Sequence, residues 1–155
     1  MRKIISFTML CLFLVSCSND EESGEIGISD QPLTGILQGE SFTFVGGKSF
    51  DTITFEDEEA LNINLTNVGT SCEDFIGDFD LRISFTVPVG VGVYTDINIV
   101  EFKNDETPFN NLDRTVEITS LTETEVSGKL KLERNSSDIA EGSSVEGSFT
   151  VPICQ

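Results

Sequence analysis

The chain has 155 residues, with nine Lys or Arg against twenty-seven Asp or Glu, a formal charge of −18 and no histidine. A chain this acidic repels phosphate backbones, which argues against nucleic acid as a partner. The missing histidine removes the commonest general base and metal ligand, so neither a Ser-His-Asp nor a Cys-His mechanism can be written. With twelve Phe and no Trp, the expected core is one of Phe, Ile, Leu and Val, on the scale of a single domain.

The chain opens with Arg2 and Lys3, runs through an apolar segment from Ile4 to Val15 broken only by Ser6 and Thr8, and reaches the small residue Ser16 before Cys17. That segment is shorter than the roughly 20 residues of a membrane-spanning helix and has the anatomy of a cleaved signal. Leu14-Val15-Ser16-Cys17 resembles the processing signal of bacterial lipoproteins. The resemblance implies removal of residues 1–16, acylation of Cys17 and a membrane partner reached through that lipid. Ser18-Asn19-Asp20-Glu21-Glu22 is similar to the acidic export signal of surface lipoproteins in the Bacteroidota. It implies an outer-membrane protein facing the medium, although Asn19 interrupts the acidic run and keeps the periplasmic face as an alternative.

Cleavage would take Arg2 and Lys3 with it, moving the formal charge from −18 to −20. Cys11 would leave with the signal and Cys17 would carry lipid, so Cys72 and Cys154 remain. In an oxidising compartment their disulfide is the default expectation, worth about 4 to 5 kcal/mol on the chain-entropy account. Two free thiols or a metal pair are the alternatives, and no histidine exists to complete the latter.

Residues 17–34 read as the lipidated cysteine and a flexible acidic tether: they are polar, contain Gly and Pro32, and show no period. Residues 35–155 read as the folded domain. Phe42 and Phe44, then Ile53 and Phe55, then Leu61, Ile63 and Leu65 alternate with polar neighbours, the period of half-buried strands. Gly46-Gly47, between the first two, is the candidate hairpin turn. Asp51-Thr52-Ile53 resembles the short acceptor sequence for O-linked sugars on envelope proteins of the same bacteria.

Leu81, Ile83, Phe85 and Val87 form a further strand closed by Pro88 and Gly90, and Val91 and Val93 open the next. Ile97 to Phe102 has apolar residues of both parities and reads as a strand buried on both sides. Asn104 to Leu112 reads as a loop. Val116 and Ile118 pair as a hairpin with Val126, Leu130 and Leu132. A final strand carries Val145, Gly147, Phe149, Val151 and Ile153, and Pro152 marks it as an edge or an ending strand.

Eight or nine short strands with few helix signals predict an all-β fold, a single antiparallel β-sandwich or small β-barrel. Glu117 to Gly128 and Val145 to Cys154 resemble the C-terminal half of small uncharacterised Bacteroidota lipoproteins. That resemblance implies location and β architecture and supplies no activity.

No cofactor is expected from the composition; the exception to weigh is a hard cation such as calcium, for which two acidic clusters could serve. These are Glu56-Asp57-Glu58-Glu59, and Glu73 and Asp74 with Asp78 and Asp80 beside Cys72. Neither has EF-hand spacing, and exposed acidic loops are the plainer reading. A paired-carboxylate hydrolase is the one catalytic scheme compatible with the composition. The reading favoured over it is a non-enzymatic surface lipoprotein whose loops, among them Val89-Gly90-Val91-Gly92 and Asn104 to Asn111, bind a glycan or an envelope protein. A structural or assembly role in the envelope is the alternative.

Overall fold

The computed structural model describes residues 27–104, 106–137 and 141–155. The signal segment and Cys17 therefore lie outside the described residues. The rest is all-β, with eleven strands in one curled sheet that forms a half-barrel. They are β1 (Thr34–Leu37), β2 (Glu40–Thr43), β3 (Gly46–Ile53), β4 (Glu59–Thr66), β5 (Leu81–Pro88), β6 (Gly92–Tyr94), β7 (Ile99–Lys103), β8 (Phe109–Asn111), β9 (Arg114–Leu121), β10 (Glu125–Arg134) and β11 (Ser143–Cys154). The main path runs β6-β9-β10-β11-β3-β4-β5-β7-β8, and β1 pairs with both β11 and β2. Every pairing between strands is antiparallel except β11 with β3, where Ile153 and Cys154 lie beside Ser49 and Phe50.

Alternation decides which face turns inward. In β5, Leu81, Ile83, Phe85 and Val87 are buried while Arg82, Ser84 and Thr86 are half-buried, as a two-residue period requires. They meet Leu61, Ile63 and Leu65 from β4 and Val116, Ile118, Leu130, Leu132, Val145, Phe149 and Val151 from the other wall in one core. Phe85 and Phe149 touch edge to face at a centroid separation of 6.0 Å, a favoured aromatic geometry.

Several expectations are corrected. Gly46-Gly47 is not a hairpin turn but the start of β3, where a side chain on Gly47 would come within 2.4 Å of the Asn64 carbonyl and 2.7 Å of Val151. The tight turn is Gln38-Gly39, joining β1 to β2 with φ of 47° and 77°, the left-handed pair of a type I′ turn. Ile53 and Phe55 do not reach the core. They lie at and beyond the last residue of β3, past the layer where Leu61 and Val87 pair across β4 and β5.

β11 is no edge: it pairs with β10 along ten residues, and with β1 and β3 on its other side. Pro152 is accommodated because it falls between the β1-paired and β3-paired portions, where a missing N–H is not needed on that side. The segment read as a loop from Asn104 contains β8. β7 buries Ile99 and Glu101 on one face only, leaving Val100 and Phe102 half-buried. The domain also begins before residue 35. Ile28 and Leu33 are buried, the Ser29 N–H donates to Glu146 at 2.8 Å, and Pro32 bridges to Ser148.

Candidate functional site

Three groupings of side chains lie outside the apolar core. The first surrounds the disulfide. Cys72 and Cys154, 82 positions apart, are bonded, which fastens the connection between β4 and β5 to the end of β11. Beneath that connection lies Lys48, only 1% exposed. Its ammonium donates to the carbonyl of Cys72 at 3.2 Å and to that of Asp74, and stands 5.2 Å from the centre of the Phe50 ring. Of the acids predicted to share a cation here, only Asp74 is organised: its carboxylate accepts the Ser71 N–H at 2.6 Å. That bond, seconded by the Ser71 side chain, holds the Asp74 carboxyl below its ordinary range against a smaller opposing effect of desolvation, and the charge of Lys48 adds the least. Glu73, Asp78 and Asp80 are exposed, and among the described residues no three His, Cys, Asp or Glu side chains converge as a metal site would require. The cation that the carbonyls of this connection hold is the Lys48 ammonium.

The second grouping lies where β7, β8, β10 and β11 each contribute a side chain. Glu101 is fully buried, on the same face of β7 as Ile99. Its Oε1 accepts from the Asn111 amide at 2.7 Å, and its Oε2 accepts from the Ser143 hydroxyl at 2.5 Å and from Arg134 at 2.9 Å. A carboxylate buried this deeply is tolerable only with such charged and neutral donors around it. The Arg134 guanidinium also stacks 5.0 Å from the centre of the Phe109 ring. The Ser143 hydroxyl in turn accepts the Gln38 N–H at 2.9 Å, and Lys103 donates to the Gln38 carbonyl at 3.1 Å. Two buried donors, Gln38 Nε2 and Arg134 Nε, have no partner among the described residues.

A cleft of about 780 Å³ opens beside this network, between the β1–β2 turn and the connection from β10 to β11. Its walls combine Arg134, Asn135, Glu133 and Glu141 with the hydroxyls of Ser136, Ser143 and Ser144, over Ile36 and Gly39. The close seating of Gly39 shapes one wall: its N–H donates to the Gly142 carbonyl at 3.0 Å, and a side chain there would strike Glu141.

The third grouping is apolar and lies on the turn after β3 and the connection after β5. The acids predicted as the other cation cluster, Glu56 to Glu59, are exposed on that same turn, and Thr52 is exposed on β3.

Sequence reasoning pointed to the acids beside Cys72 and overlooked Lys48, Glu101, Asn111, Arg134 and Ser143. For Glu101 and Ser143 a signal existed: each shares the parity of core residues, Ile99 and Val145. Lys48 had none, because its burial comes from a connection packed over the outer face of β3. No protein-family model, curated protein or solved structure matches the chain.

Proposed function

We propose that this chain is a lipid-tethered, non-catalytic binding module of the outer bacterial surface, and that the cleft beside Arg134 takes a neutral glycan. The cleft's lining carries the proposal. Planar polar groups of Arg134, Asn135, Glu133 and Glu141, together with Ser136 and Ser144, give the cleft both donors and acceptors of the kind that sugar hydroxyls pair with. Its volume of about 780 Å³ falls in the range of small-molecule sites. The network around Glu101 supports the reading, since it fixes Arg134 before any ligand arrives and so lowers the ordering cost of binding. The lipid tether is supported by Leu14 to Cys17 and the surface location by the acidic residues after it.

A glycan array probed with the soluble chain, followed by calorimetric titration of any hit, tests the binding claim. Asn135→Ala with Ser136→Ala alters two exposed residues and should weaken binding at least tenfold without changing the melting temperature. An array without hits, or a hit indifferent to that pair, would remove the glycan reading. Labelled palmitate incorporated into the wild-type protein and lost in Cys17→Ser would support the anchor, and its absence from both would refute it.

A further inference from the structure

Four large apolar side chains crowd one end of the half-barrel: Ile53 is 62% exposed, Phe55 fully exposed, Val89 48% and Val91 66%. They form one rim. Ile53 pairs with Glu59 across β3 and β4, and the Val89 N–H donates to the Glu59 carbonyl at 3.0 Å. The rim contributes nothing to the core, which is closed one layer inside by Leu61 and Val87. It is held rigidly all the same. Around Phe55 the Thr54 N–H donates to the Glu58 carbonyl at 2.8 Å, and the Thr54 hydroxyl accepts the N–H groups of Glu56 and Glu58 at 3.2 Å each. Beside Val89 and Val91, the Tyr94 hydroxyl donates to the carbonyls of Pro88 at 3.4 Å and Gly90 at 3.2 Å.

Fixed, exposed aromatic and aliphatic side chains are common at interface centres, and apolar surface left exposed on adjoining connections marks contact sites. The charges around it select the partner. Asp51, Glu56, Asp57, Glu58 and Glu59 are all exposed on the same two strands and their turn, and none takes part in an ion pair among the described residues. A second copy would bring the same acids face to face at a chain charge of −18. An anionic bilayer would be repelled likewise.

We propose that the rim of Ile53, Phe55, Val89 and Val91 is the docking surface for a protein partner that presents an apolar patch edged by lysine and arginine. The proposal is independent of the glycan cleft, which is lined by none of these residues.

The test uses the isotope-labelled chain, a fourteen-residue amphipathic helical peptide of leucine and lysine, and the same peptide with glutamate for every lysine. The lysine peptide should shift the backbone amides of residues 53–59 and 88–93 and bind at least tenfold tighter than the glutamate peptide. Phe55→Ser with Val91→Ser should weaken it at least tenfold while leaving the melting temperature unchanged. Glu56→Gln with Glu58→Gln should weaken it and flatten its salt dependence. Shifts confined to other surfaces, or binding unaffected by the serine pair, would overturn the proposal. So would a large loss of melting temperature in that pair, since the side chains would then be structural. Concentration-dependent dimerisation through the rim, or rim-dependent binding to phosphatidylcholine vesicles, would also overturn it by assigning the surface to another occupant.

Discussion

Replacing Arg134 by methionine removes the one cation that, among the described residues, is bonded to the Glu101 carboxylate, which has no access to solvent. Glu101 would keep the Asn111 amide at 2.7 Å and the Ser143 hydroxyl at 2.5 Å, two neutral donors in place of a charged one. Breaking a buried pair from one side costs about 3 to 5 kcal/mol, because the desolvation already incurred by the remaining charge goes uncompensated. For a domain of this size that corresponds to a fall of roughly 10 to 20 °C in melting temperature. Glu101→Met alone should cost less, about 1 to 3 kcal/mol, since Arg134 sits at the cleft and its freed guanidinium can turn to water. The decisive measurement is the double-mutant cycle, read by urea unfolding of Arg134→Met, Glu101→Met and the two together. With both charges gone no buried carboxylate is left without its cation, although the Asn111 amide and the Ser143 hydroxyl lose an acceptor, and the double variant should be more stable than Arg134→Met by at least about 2 kcal/mol. Additive losses would refute the argument, because they would mean that Glu101 is not paying a burial penalty that Arg134 relieves.

Reducing the Cys72–Cys154 disulfide should lower stability by about 4 to 5 kcal/mol for a separation of 82 positions, measured by urea unfolding with and without reductant; a loss below about 1 kcal/mol would show that the β4–β5 connection is held without it. Lys48→Met should cost about 1 to 3 kcal/mol by orphaning the carbonyls of Cys72 and Asp74, with hydrogen exchange accelerating in residues 71–75 before the rest of the domain. Asp74→Asn should remove an acid-side dependence. The folded carboxyl titrates below its unfolded value, so its contribution is complete above about pH 4 and fades as pH falls through the folded value. The wild type should therefore lose more stability than the variant between pH 5 and pH 2 by thermal melts, and parallel curves would contradict the assigned bond.

The legible parts of the fold were those where one face of a strand meets the core and the other meets water. β5 and β10 follow their alternation residue by residue, and β9 follows it as far as Ile118, beyond which the register of the hairpin shifts. β3 was misread because its inward positions are Gly47 and Ser49, too small to show in a hydrophobic pattern, while its apolar residues fall elsewhere, Phe50 on the face of Lys48 and Ile53 beyond the core layer. β8 was hidden because Pro108 and the two asparagines carry turn chemistry, yet Asn111 pairs with Ile99 and spends its amide on Glu101. The cysteine pair could be anticipated by counting. The network at Glu101 could not, since it gathers residues from β7, β8, β10 and β11 that no local period connects.

The parallel pairing of β11 with β3 makes closure a late event. A chain synthesised only as far as β10 could join β3 to β4 and β5, and β9 to β10, by neighbouring contacts, but would hold two curled ribbons with uncovered apolar faces. β11 supplies both the seam between them and the inner residues Val145, Phe149 and Val151 that each ribbon lacks. Contacts that span the Ser29–Glu146 separation of 117 positions then form last, and such non-local pairing slows folding. Deleting residues 143–154 should therefore leave no smaller native domain but an aggregation-prone collapsed chain.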